Sequence, residues 1–160
     1  MAKKGAFAFR ADLGKFAEKV DIEIAQAVQY VAIDLFIKIV EKTPVDKGRL
    51  RASWTITVGP SNATWVAPES AEGMGRAQSR TMAMKTVSAL PQPKIGDVYH
   101  ITNNMPYARV VEFGEFKGEG PKISGGFSKQ SIKHGTPYGM VRVSIKEVQE
   151  GIGLIIDEAV

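Results

Sequence analysis

The chain has 160 residues, 44% of them hydrophobic, and carries 21 lysines and arginines against 17 aspartates and glutamates, for a net charge of +4. This composition suits a folded chain rather than a disordered one, and the length suits one domain, 1–160, that buries roughly 70% of its unfolded surface. The absence of cysteine excludes disulfides, thiolate metal sites and cysteine nucleophiles, and no run approaches the ~20 apolar residues of a membrane span.

The opening MAKKGAFAFR pairs lysines with a few apolar residues. Arg10 and Asp12 close that run before it reaches the length of a signal-peptide core, so cytoplasmic synthesis is the expectation. From Ala11 to Lys42 the spacing predicts a long helix. Ile24, Val28, Val31, Leu35 and Ile39 recur every three or four residues and share one face. Ile33, Phe36, Ile37 and Val40 widen that face, which places the C-terminal part of the helix in the core. Thr43 precedes Pro44 and is pushed out of the helical region, so the helix stops there.

Next comes a corner, TPVDKGRLRASW. Pro44 fixes a dihedral, Asp46 can cap the turn, and Gly48 can take a positive φ. Leu50 and Trp54 are expected to anchor this elbow to the core. Arg49 and Arg51 are expected to point outward as cations suited to an acidic neighbour. SWTITVG alternates as a half-buried strand, and after the turn GPSNA a second short strand is expected at Thr64–Val66. A helix follows from about Ser70 to Leu90, weakened at its start by Gly73 and Gly75. Asp97 to Asn103 reads as a third strand. MPYARVVEFG reads as a short helix with Pro106 near its first turn and Gly114 at its end. Residues 115–138 are rich in glycine and lack periodicity, which predicts a long flexible loop. From Met140 onward, Val141, Ile145, Val148, Ile152 and Ile155 mark a C-terminal amphipathic helix. The order α-β-β-α-β-α-loop-α predicts an α+β fold: a small antiparallel sheet packed against the N-terminal and C-terminal helices.

Chemistry-bearing constellations are sparse. His100 sits on a predicted strand and His134 in the loop, and neither has a second ligand at a recognised metal spacing. No nucleophile elbow, phosphate loop or dinucleotide fingerprint occurs. Glu147 and Glu150 fall on the polar face of the last helix. The expectation is therefore a protein that is not an enzyme and uses no cofactor or metal. Lys117, Lys122, Lys129 and Lys133 offer a contact to phosphates, and a DNA-binding accessory protein is the alternative reading.

Two segments taken together, TPVDKGRLRASW and YHITNNMPYARVVEFG, resemble the bacteriophage neck and tail-completion family, which includes minor tail components of the type of lambda's protein Z and related siphovirus components. Thr43, Pro44, Val45, Asp46, Gly48, Arg49, Leu50 and Trp54 match the first motif. Ile101, Asn103, Asn104, Pro106, Tyr107, Ala108, Glu112 and Gly114 match the second, and GMVRVSIKEVQ resembles the family's entry into its last helix. Lys47 departs from the family's usual threonine. The resemblance implies a structural virion protein, made in the host bacterial cytoplasm, that forms a homo-oligomeric ring, commonly six-fold, at the head-proximal end of the tail. Its implied neighbours are the tail terminator, the tail tube or the head-closure ring, with phage DNA passing through the channel. On that basis Arg49, Arg51, Tyr107, Arg109 and Glu112 are expected to make ring or inter-ring contacts.

Overall fold

The computed structural model describes residues 2–44, 47–71, 73–113 and 139–159. The expected loop at 115–138 and the corner residue Asp46 therefore lie outside the described residues.

Helix α1 runs Ala2–Lys42. It starts earlier than the apolar periodicity begins, because residues before Ala11 are mostly good helix formers even where they set no apolar stripe. It ends where the pre-proline position requires: the Thr43 amide donates to the Ile39 carbonyl at 3.0 Å and its hydroxyl to the same oxygen at 2.7 Å. The C-terminal part of α1 is deeply packed. Phe36, Ile39 and Val40 are at most 1% exposed and meet Leu50, Trp54, Ile56, Met105, Val111 and Met140 in one core.

The corner contains a one-turn helix, α2 (Arg49–Ala52), which leads into strand β1 (Thr55–Val58). Strand β2 (Tyr99–Thr102) pairs with β1 antiparallel, Thr55 opposite Thr102 and Val58 opposite Tyr99. A lone two-stranded ribbon is marginal in water, so this one depends on its cover. Ile56 lies in the core beneath α1, and its amide donates at 3.3 Å to the Thr86 hydroxyl of helix α3 (Arg76–Ser88). That bond also occupies an edge amide.

Several expectations need correction. The strand expected at Thr64–Val66 is irregular chain, and the sheet has two strands. Side chains, not a ladder, hold this segment. Asn104 donates to the carbonyls of Asn62 at 2.7 Å and Trp65 at 2.8 Å, and the Ala67 amide donates to the Ser53 hydroxyl at 3.0 Å. The expected alternation of burial along SWTITVG is also absent: Ser53 and Thr55 are as enclosed as Trp54 and Ile56, while Thr57 and Val58 are both half-buried. Each enclosed hydroxyl has a partner: Ser53 donates to the Arg49 carbonyl at 2.8 Å, and Thr55 meets Thr102 at 2.9 Å. The helix expected from Ser70 to Leu90 is broken into a 3₁₀ turn (Glu69–Ala71) and α3. The break forms where the Gly73 amide donates to the Lys47 carbonyl at 2.9 Å, pulling the chain back to the corner.

Helix α4 (Ala108–Phe113) follows β2, and helix α5 (Val141–Ala159) runs back along α1. Lys42 and Glu147 join the two at 2.8 Å. The architecture is mostly helical with a small antiparallel sheet, an α+β fold.

Candidate functional site

The corner is built around the C-terminal end of α1, whose last carbonyls have no partner within the helix. Arg51 supplies one. Its guanidinium donates to the Glu41 carbonyl at 3.0 Å and, through Nε, to the Thr43 carbonyl at 3.1 Å. Arg51 is 7% exposed. The outward orientation expected for it is therefore overturned: it points into the protein, where the negative end of the helix favours a cation. Trp54 completes the cap by donating its Nε1–H to the Thr43 hydroxyl at 2.8 Å. Arg49 is half-buried and donates to the Ala67 carbonyl at 2.8 Å, so at least one of its donors faces inward.

Gly48 explains why this corner needs a glycine. Its φ is +84°, and a Cβ there would sit 2.4 Å from the Met74 carbonyl oxygen, closer than any side chain tolerates. Leu50 is buried, and Pro44 is enclosed beside it. The corner and the second motif are then tied together by Asn103, which donates to the Leu50 carbonyl at 2.9 Å while its own oxygen accepts the Met105 amide at 3.1 Å.

A second node joins α4 to α5. The Glu112 carboxylate accepts the backbone amides of Met140 at 2.6 Å, Val141 at 3.0 Å and Arg142 at 3.1 Å. These are the orphan donors at the start of α5, and a carboxylate there meets the positive end of the helix. Arg142 closes the node, with Nε 3.3 Å from the carboxylate and Nη2 donating to the Glu112 carbonyl at 2.8 Å. Gly139 leaves room for this: its φ is +148°, and a Cβ would lie 3.2 Å from the Glu112 carboxylate. Glu112 is 8% exposed. Its carboxylate is spent inside the protomer, which the sequence did not reveal because its partners lie about thirty residues away.

Of the other expected contact residues, Tyr107 is 43% exposed and Arg109 stands on the surface of α4, its guanidinium 5.9 Å from the Phe113 ring. Arg142 lies over the same ring at 4.6 Å. Phe113, about half exposed, is thus flanked by two guanidiniums. Sequence reasoning named neither Phe113 nor Arg142 as part of a surface. The spacing of Arg109 and Phe113, four apart on one helix, was a usable signal for half of it. His100 is half-buried on β2 opposite Thr57. His134, Lys117, Lys122, Lys129 and Lys133 lie outside the described residues. Among the described residues no group of three or more histidines and carboxylates is arranged to hold a metal ion, and no helix is long and apolar enough to cross a membrane.

The Tyr99 hydroxyl is enclosed without a hydrogen-bond partner among the described residues. Burial, and then the Asp97 carboxylate, raise its ionisation above the ordinary tyrosine value, with the nearby Gln29 amide acting weakly the other way. Gln29 directs its Nε2–H to the Pro91 carbonyl instead, at 3.0 Å.

The two nodes consist largely of the residues that carry the two phage-like motifs. Comparison with known proteins bears on the same segments. A search of curated proteins and a search of solved structures each returned no match, and the likeness to lambda's protein Z in particular found no support there. A family model, HK97-gp10-like, described as "Bacteriophage HK97-gp10, putative tail-component", matches residues 7–114. That span holds most of α1, the corner, the sheet and α4, and it leaves the GMVR segment outside. Matched over more than half its length, the chain belongs to the HK97-gp10-like family.

Proposed function

We propose that this chain is a structural protein of the phage virion that forms a ring at the head-proximal end of the tail and completes the tail for joining to a DNA-filled head. Family membership carries the tail assignment. The nodes support a scaffolding role. The polar groups of the shared motifs cap helix ends and fasten loops, so their chemistry holds a shape and leaves the surrounding surface to meet other proteins.

Within that reading the contacts to the tail terminator, tail tube or head-closure ring fall to exposed groups. Tyr107 and Arg109 stand on such a surface beside Phe113 and Arg142, and the solvent-facing part of Arg49 forms a second contact. Exposed aromatic and arginine side chains are the types enriched at interface hot spots. Arg51 and Glu112 serve the interface indirectly, by fixing α2 and α4.

The test is electron microscopy of particles made when this gene carries a nonsense mutation. DNA-filled heads beside complete but unattached tails are the expected outcome, and intact virions would refute the joining role. Arg109→Glu should leave the chain folded and reduce its incorporation. A mobility-shift titration in rising salt probes the DNA-accessory reading, which requires salt-dependent duplex binding by the free chain.

A further inference from the structure

Helix α5 reaches its seat on α1 and α4 by way of residues 114–138, a connection of 25 residues. The gap to be crossed within one chain is short. The Met140 amide lies 2.6 Å from the Glu112 carboxylate, so the end of α4 and the start of α5 are neighbours. Packed helices are ordinarily joined by about two to eight residues, and a link of that length closes a gap this small. Fully extended, the 25 residues reach about 85 Å. Adjacent compact chains of this size stand roughly 40 Å apart, so the connection is long enough to seat α5 on a neighbour.

The seat is specific at one end and loose at the other. At the start of α5, Glu112 takes three amides, and Met140, Ser144 and Val148, four apart on one face, are buried. Lys42 and Glu147 add an ion pair at 2.8 Å. Farther along, α1 and α5 leave a space of about 300 Å³ lined by Val31, Val148 and Ile152. Nothing lies within 4 Å of where a Cβ on Gly151 would be. A helix gripped at one end and underpacked beyond it opens at a lower free energy than the whole fold, so α5 can leave its seat while the remaining core stays closed.

We propose that α5 is exchanged between copies: in the assembled ring each chain seats its α5 on α1 and α4 of a neighbour. Exchange remakes every contact of the seat, with Glu112 of one copy gripping the helix start of the next, so concentration sets its direction. For a single chain the tethered α5 has an effective concentration on the order of millimolar, and in dilute solution each chain holds its own. Copies standing side by side in a ring bring the neighbour's α5 into the same range, and each then gives one element and receives the other, a heterologous contact that can close into a ring. The inference rests on the ring reading for that placement and gives the ring its seam.

A charge exchange tests it with the full chain. Lys42 and Glu147 are half-exposed, so reversing either leaves the core intact. Lys42→Glu in one copy and Glu147→Lys in another put like charges together within each chain, and opposite charges together only when the two copies trade α5. The two variants, one of them isotope-labelled, are mixed at about 1 mM and read by native mass spectrometry. Mixed pairs should form about tenfold more readily than pairs of either variant with itself. Deleting residues 118–135 from both leaves a link of seven residues, about 25 Å at full stretch, which still reaches a chain's own seat but not a neighbour's. The shortened chains should keep the circular dichroism of α5 and lose the mixed pairs. If they fail to fold, the charge exchange decides. A mixture that stays monomeric overturns the inference, as do pairs formed without that preference or pairs that survive the shortening. The nonsense-mutant micrographs remain a separate readout: intact virions there would refute the tail role without touching the measured exchange.

Discussion

The corner after α1 and the junction before α5 solve the same problem with opposite charges. At the corner a helix ends, and Arg51 brings a cation to its bare carbonyls. At the junction a helix begins, and Glu112 brings a carboxylate to its bare amides. In each the charge is almost wholly enclosed, at 7% and 8% exposure, and backbone groups at a helix end are among its partners. Enclosed charges require such partners. The difference is reach. Arg51 acts on residues eight and ten positions away, whereas Glu112 acts across nearly thirty. The corner is a local device that stiffens a turn. The junction is a long-range one that decides whether α5 is attached to the rest of the chain.

Removing the long-range member should therefore cost most. Glu112→Ala strands three helix-start amides and takes the carboxylate away from Arg142, and is expected to lower stability by about 3–4 kcal/mol, read as a shift in the urea midpoint. Glu112→Gln retains an acceptor and should lose less than half of that. Equal losses for the two would mean that shape, not the acceptor, matters there. Arg51→Met keeps much of the buried stem and removes the fork, for an expected loss of about 2–3 kcal/mol. A loss above that for Glu112→Ala would reverse the ranking of the two nodes. Gly48→Ala sharpens the corner side alone. It combines a left-handed φ with a Cβ against the Met74 carbonyl and should cost about 2 kcal/mol. A neutral result would show that the chain around the Met74 carbonyl gives way easily. The smallest effect has the opposite sign. Tyr99→Phe removes an enclosed hydroxyl that has no hydrogen-bond partner among the described residues and is expected to be neutral or stabilising by about 0.5 kcal/mol in thermal melts.

The contrast in reach also explains what was legible in the sequence. The stop of α1 at Thr43, the strand at Thr55–Val58 and the C-terminal helix were readable, because pre-proline sterics, alternation and helical periodicity are written in adjacent residues. The positive φ at Gly48 and the burial of Leu50 and Trp54 likewise follow from turn chemistry written in adjacent residues. The inward turn of Arg51 was not readable: an arginine near a turn looks the same whether it faces water or a helix end. The false strand at Thr64–Val66 failed for a related reason. Its residue types suit a strand, but Asn104 and Ser53, distant in sequence, take up its backbone groups. Glu112 was singled out, through the motif resemblance, for ring or inter-ring contacts, and the sequence did not show that its carboxylate also binds the start of α5 in its own chain. Periodicity records which face is apolar and says nothing about which backbone group a side chain will satisfy.

The Glu112 node has a further consequence for how this chain tolerates change. Because the carboxylate at the end of α4 grips the amides that open α5, the fold itself fixes where the residues between Phe113 and Gly139 must leave and return. One side chain thus works as a staple between two helix ends, and its loss would uncouple α4 from α5 with every covalent bond of the chain intact.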